Sequence, residues 1–440
     1  MARFLGLRTD VIRNEQGGIT VLSLFFLITF IMLGGLAIDV TNVMTARTQL
    51  QVAADAAAHA ALLAREDMSE DEAISAGVAM AMLNMPADRF GDVLTVDEVS
   101  FGVWDADAQT FTPQPGAKNA VLVLPKRTET AGNPVATYLL HLVGLDAWNL
   151  HVQAIFTTYH PTCFREGFVA RDVVDLQSNN SYSNGFCIHS NEHVSLNSNN
   201  YFEPGTVVSM PDENDIDLPN SGFKTNEGLE QALRSGSYHI RVLDQIDDII
   251  AGLESLNTEV LPTYITGLAP ANIVTLNSKK AINATMLVPG RLHTMTCSGG
   301  GAANIEANTL VSSIALVTNC AIKFGQGVIL QDTVIATTNT GAKSLTAASG
   351  LQVGRNDSCA TGGGAQLVTM GGMDFPADLK VYGGQLLAAN DINFSANANG
   401  IEGASFVAGG TISGTSNMAM GFCGTGMEQN FHAEYFRLVY

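Results

Sequence analysis

What the chain lacks narrows it first. Of its 440 residues only 15% are charged, against 46% hydrophobic. Disordered and highly solvated chains are charge-rich and apolar-poor, so that class is excluded. Lys and Arg number 22 against 42 acids, a net charge of −20. A nucleic-acid binder needs a basic footprint, which this composition does not offer. Aromatics make up 7%, and Pro stands at 13 while Gly reaches 43. Abundant Gly with little Pro suggests tight turns between short strands rather than a helical enzyme. No Cys-x-x-Cys or Cys/His pair has zinc spacing, so no metal or cofactor is expected. Gly-x-Ser-x-Gly and His-Glu-x-x-His are also missing, and no catalytic residue is assigned. The length itself suggests two to three domains.

One long apolar run is present. Ile19 to Ile38 reads ITVLSLFFLITFIMLGGLAI, without a charge. At about 1.5 Å per residue it spans about 30 Å, the thickness of a bilayer's hydrocarbon core. Arg3, Arg8 and Arg13 precede it, and Asp39 follows at once. The positive-inside bias puts residues 1–18 in the cytoplasm and the C-terminal body outside, in the periplasm or beyond. The expected location is therefore the inner membrane, crossed once, with lipid as a partner. A cleaved signal peptide is the competing reading, since Gly35 and Ala37 fit a small-x-small site. The run is longer than an ordinary signal-peptide core, and the helical pattern continues past it, which favours an uncleaved anchor. Both readings export residues 39–440. Cys163, Cys187, Cys297, Cys320, Cys359 and Cys423 all lie in that exported part. An even count in an oxidising compartment suggests disulfides. Six cysteines allow 15 connectivities; pairing of sequence neighbours is the simplest.

Residues 39–160 read as an α+β unit. Val40 to Arg65 is Ala-rich without Gly or Pro, which favours helix. Val43, Leu50, Ala54, Ala57 and Ala61 form one stripe at three- and four-residue spacing. Ser69 and Glu72 fit a capping box opening a helix over about 70–84, which Pro86 ends. Strand signals follow at 94–104, 120–124 and 150–159. Asn133-Pro134 is read as the cap of a short helix through Val143, stopped by Gly144.

The N-terminal residues resemble a known family. Asn14-Glu15-Gln16-Gly17-Gly18, the apolar run, Asp39-Val40 and then Leu50-Gln51-Val52-Ala53-Ala54-Asp55-Ala56-Ala57-Ala58 are similar to the N-terminal segment of TadG-like proteins. These belong to the Flp pilus (tight adherence) assembly systems of bacteria. The resemblance covers residues 14–65, and the part to about 160 looks like the pilin-like unit that often follows. It implies a role in assembling or anchoring an adhesive pilus, with other pilus-assembly or pilin proteins as partners. Two departures limit the carry-over. No Asp-x-Ser-x-Ser motif of a von Willebrand-type metal site is present. Nor does Glu15, which precedes Gly17 and Gly18, stand where a prepilin peptidase substrate has its glutamate.

Residues 161–440 carry internal repeats. Phe168–Asn180 and Ile188–Asn200 match at an offset of 20 residues. Leu387–Asn397 and Val407–Asn417 match at the same offset. Short strands punctuated by Asn and Gly at this period suggest a right-handed parallel β-helix, with Asn or Ser laddered at the turns. A β-sandwich is the alternative. Between about 226 and 256 the pattern turns helical and reads as an insertion.

Many proteins of this shape act on polysaccharides, and such chemistry needs clustered carboxylates. Asp172, Asp175, Glu192 and His193 would come together if the coils stacked in register, and read best as solvent-facing turn charges. His189 and His193, if on one strand, would lie about 13 Å apart, too far to share a metal. Arg355 and Asp357 are expected to pair locally, and Gly362-Gly363-Gly364 to form a turn. The expectation is a non-enzymatic, envelope-anchored pilus-assembly protein with a rigid ectodomain for adhesion or partner binding. The alternative is a membrane-tethered polysaccharide-active enzyme or carbohydrate-binding module, with surface glycans as ligands.

Overall fold

A computed structural model describes residues 17–299, 301–414 and 416–439, with backbone only at 17 and 397–399. The expected cytoplasmic tail therefore lies almost wholly outside the described residues. The chain forms two compact units.

The first unit takes the residues up to Tyr159 together with those from Tyr435 onward. Helix α1 runs unbroken from Gly17 to Ala64. The apolar run and the Ala-rich segment are thus one rod, as their shared lack of Pro allows. Helix α2, Glu70–Asn84, opens on the Ser69/Glu72 capping box and closes at Met85, just before Pro86. The two helices pack through small residues. A Cβ built on Gly77 of α2 would lie 3.0 Å from Ala61 Cβ and 3.1 Å from the Ala57 carbonyl oxygen. Ala53, Ala54, Ala57, Ala58 and Ala61 share one core with Phe101, Val121 and Val123 of the sheet. That sheet is antiparallel, in the order 110–113, 99–105, 120–123, 154–159, 435–438. Hence residues 435–440, expected in the β domain, belong here: Tyr435 pairs with Tyr159 and Leu438 with Phe156. The hairpin strand at 110–113 adds to the expected strands. The expected helix from Asn133 is corrected to a two-residue strand, Val135–Ala136, and one 3₁₀ turn, Leu140–Val143. Asn133 instead spends its side chain on loop backbone, accepting from Thr128 N–H and donating to the Asp92 carbonyl 41 positions earlier.

The second unit, His160–Glu434, is built on a large parallel sheet of 22 strands among the described residues, most of them short but two 16 and 17 residues long. The repeat register holds residue for residue: Phe168 pairs with Ile188, Val174 with Val194, Leu176 with Leu196. One column of paired residues shows the order of stacking. It runs Leu233, Val208, Ile188, Phe168, Phe406, Leu386, Leu367, Ile335, Leu316, His293, Val274. The first strand in sequence therefore lies inside the stack, against the last long one. The chain stacks one way from 167 to 235, returns over 236–273, and restarts at the opposite end. The expected helical insertion at 226–256 is corrected accordingly. Asn226–Glu227 and Leu233–Ser235 still belong to the ladders, and the longest helix covers only Ile246–Glu254. That helix buries Ile246, Ile249, Ile250 and Leu253 in one cluster with Leu292, Val334 and Val407 of the strands. The return segment thus covers one sheet face. The interior of the stack is filled by residues such as Phe168, Phe186, Phe202 and Phe406, each worth about 1.5–3 kcal/mol on full burial. Tyr182 and Phe202 stack at 4.7 Å on adjacent levels.

Candidate membrane interface and other candidate sites

From Gly18 to Ile38, helix α1 is covered by almost nothing. Ile19 is 70% exposed and Ile38 51%, and of the described side chains between them only Gly35 is buried. Thr29 satisfies its hydroxyl by donating to the Phe25 carbonyl, 2.9 Å away. The helix is long and apolar enough to cross a membrane. An exposed Leu, Ile and Phe run of this length matches the thickness of a bilayer's hydrocarbon core.

At the end of that run a second apolar element meets the helix. Asp39 is fully buried, and its carboxylate accepts from three successive backbone N–H groups: Tyr138 at 2.5 Å, Leu139 at 3.0 Å and Leu140 at 2.7 Å. Burial disfavours the charge, but these three donors outweigh it and hold the carboxyl below its ordinary value. Asn42 adds a bond to the Ala136 carbonyl at 3.2 Å. The missing side chain of Gly35 lets the loop approach: a Cβ there would stand 2.8 Å from Leu139 Cβ. The loop turns the rest of its apolar residues outward, with Tyr138, Leu142, Val143 and Leu145 all more than half exposed. Between loop and helix lies an open apolar groove of about 460 Å³, bounded by Ile31, Met32, Leu139 and Leu142 among others. The run YLLHLVGL at 138–145 is the available sequence signal, and by pattern it reads only as a helix end.

The structure joins Cys163 to Cys187, Cys297 to Cys320 and Cys359 to Cys423, with Cα–Cα separations of 4.8, 5.3 and 5.6 Å. These are the sequence-neighbour pairs, and all lie in the second unit. Inside the stack, Asn180, Asn200 and Asn226 form a buried ladder. Asn200 Oδ1 accepts from Asn180 N–H at 2.9 Å, and Asn226 Oδ1 from Asn200 N–H at 3.1 Å. Asn180 Oδ1 accepts in turn from Met418 N–H at 3.0 Å. The preceding Asn179 and Asn199 both adopt left-handed backbone, φ 63°, which Asn tolerates better than most residues.

Part of the expected turn grouping is present: Asp175 feels the charges of Asp217 and His193, and His193 stands beside Glu192. Asp175 lies level with Ser195; burial and then the Asp217 charge raise its carboxyl, against the opposing pull of His193. His193 lies 3.6 Å from Glu192. His189 is fully buried, bonded to Ser209 Oγ at 2.7 Å and Asn191 Oδ1 at 3.0 Å, and burial lowers its pKa. The strand Cys187–Ser190 ends between the two histidines, so they straddle a turn rather than share a strand. Arg355 Nε donates to Asp357 Oδ2 at 2.7 Å, and Gly362 and Gly363 turn with φ of 81° and 77°. Among the described residues, two groups of three ligand-type side chains converge, His160/His432/Glu434 and Cys359/Glu402/Cys423. Neither is a carboxylate cluster.

Comparison with known proteins divides along the same boundary. Residues 167–424, more than half of the chain, match a family described as a domain of unknown function, DUF7867. The chain belongs to this family. The DUF7867 match begins at the first strand of the parallel stack and ends just after the third disulfide. Residues 17–70 match a second family, Tad, described as Flp pilus-assembly TadE/G-like. That match covers all of α1 and stops at the first residue of α2. No curated protein and no solved structure matches the chain.

Proposed function

We propose that this DUF7867 protein is a non-enzymatic, envelope-anchored component of a Flp (tight adherence) pilus-assembly system. The observation that carries the reading is the Tad match on a helix whose uncharged stretch Ile19–Ile38 is exposed apart from Thr29 and Gly35. Ile19 to Ile38 cross the inner membrane, residues 1–18 stay in the cytoplasm and the rest is outside. The loop at 138–145 rests its apolar side chains in the outer-leaflet interface beside Gly35, and Asp39 fixes it there. The parallel stack closes as a right-handed parallel β-helix with a helical return segment. Its 20-residue register, the Asn ladder and the three disulfides support a rigid surface for adhesion or for binding pilus components.

The test is deletion in the native host, scored by surface pili and by attachment to a solid surface. Both should fall and return on complementation with the full chain. Unchanged piliation and attachment would sink the reading. A glycan array and a polysaccharide-cleavage assay on the full chain in nanodiscs test the sugar-directed alternative. Release of cleaved glycan would replace the adhesion reading with an enzymatic one.

A further inference from the structure

We propose that His160, His432 and Glu434 form a binding site for one divalent transition-metal cation of the zinc class. All three belong to the second unit, His160 being its first residue and Glu434 its last. Their ligand atoms lie within 4.8 Å of one another, and His160 Nε2 stands 3.6 Å from Glu434 Oε1. A tetrahedral zinc site with bonds of about 2.0–2.1 Å holds its ligand atoms about 3.3 Å apart. Small side-chain rotations close that gap, because both histidines are exposed.

Four features prepare the set. The two imidazoles meet edge to face, with ring centres 4.4 Å apart and planes at 79°, so they converge without stacking. His432 Nδ1 lies 3.1 Å from the Asn430 carbonyl oxygen. Only the Nδ1–H tautomer can donate there, which leaves the Nε2 lone pair for a metal; a backbone acceptor of this kind is the usual support of a metal-bound histidine. Glu434 Oε2 is shut away from solvent with no hydrogen-bond partner among the described residues. A buried carboxylate oxygen left unpaired is costly, and a cation would satisfy it. Finally, the Glu434 backbone carbonyl accepts from Arg241 Nη1, which fixes the segment that presents both His432 and Glu434.

Two imidazoles and one carboxylate suit zinc better than calcium or magnesium, which take oxygen ligands in larger number. Three protein ligands leave a position for water or for a partner's side chain. The other converging group, Cys359/Glu402/Cys423, cannot serve in this way, because its two sulfurs are joined in a disulfide. A cation at the first site would tie the second unit's first residue to its last, across 274 positions of sequence numbering, from 160 to 434.

The experiment uses the full chain in detergent or nanodiscs, with any affinity tag removed, titrated with Zn²⁺, Mg²⁺ and Ca²⁺ by calorimetry. One equivalent of Zn²⁺ should bind saturably, with no saturable Mg²⁺ or Ca²⁺. His160→Gln and His432→Gln should each weaken Zn²⁺ at least about tenfold, and Zn²⁺ should raise the melting temperature of the wild-type chain but not of His432→Gln. Both side chains are exposed, so circular dichroism should show the variants folded. Absence of saturable Zn²⁺ binding, or binding that survives both substitutions unchanged, would overturn the proposal.

Discussion

In the first unit, close packing comes from what side chains leave out. Gly77 and the alanine stripe let α1 and α2 approach until backbone meets Cβ, and the antiparallel sheet closes over the same stripe. In the second unit, order is imposed across long sequence distances. Phe168 pairs with Phe406, Asn180 serves Met418, and Cys359 is bonded to Cys423. The first unit has no cysteine, and all six are spent in the second. The difference is physical. A helix recovers its ordering entropy locally, one hydrogen bond per residue added. A parallel rung receives nothing until a rung 20 or 200 residues away has docked. Constraints on the unfolded chain, such as disulfides, are therefore most useful in the second unit.

Five measurements put that contrast at risk. The largest effect is expected from Ile28→Arg, which puts a charge at the middle of the apolar run. Such a residue costs about 2.5–3.5 kcal/mol at a helix centre, so the chain should be recovered from alkali-washed membranes in much lower yield, or be degraded. Unchanged retention would remove the anchor from the comparison. Next, the double variant Cys297→Ser/Cys320→Ser should destabilise the second unit by about 2–4 kcal/mol. Calorimetry should show the loss there, and an equal loss in the first unit would mean the two are not separately held. Third, Asn200→Ala empties the middle of the Asn ladder and leaves Asn180 N–H buried without its acceptor. That should cost about 1–3 kcal/mol, read as a lower urea midpoint for the second unit. Fourth, Gly77→Val drives a side chain into Ala57 and Ala61; overpacking of this kind costs about 1–3 kcal/mol, confined to the first unit by thermal melting. The smallest effect concerns Asp39. Its folded carboxyl titrates below the unfolded one, so its contribution is complete above the unfolded pKa of about 3.9. The contribution is lost as pH falls through the folded value. Exchange protection of the Leu139 and Leu140 amides, corrected for intrinsic rates, should drop in that acid range. Asp39→Asn should remove the pH dependence, and a drop that persists in this variant would assign it to another group.

Legibility in the sequence follows the range of the interaction. Ser69 and Glu72 are three residues apart, and their capping box is written in the local sequence. The offset of 20 between Phe168 and Ile188 is also readable, because it joins neighbouring rungs. The helix expected from Asn133 fails for a related reason: its side chain caps no helix, and one of its partners, the Asp92 carbonyl, lies 41 positions earlier. Asp39 looks like a simple exit from the apolar run, because its partners stand about a hundred positions later at 138–140. His160, His432 and Glu434 show no metal spacing, since spacing rules see only ligands on one local element.

The amino-acid order is thus enough for the long apolar-to-alanine helix, its resemblance to TadG-like proteins, the capping box and the period of the rungs. Each of these is written in residues close in the chain, where propensity and periodicity act directly. Only the packed fold shows that the stack begins in its own middle, with Phe168 between Ile188 and Phe406. Only the packed fold returns the last strand, Tyr435–Leu438, to the first unit's sheet. Register between distant rungs is set by which apolar faces find each other during folding, and no local pattern records that choice.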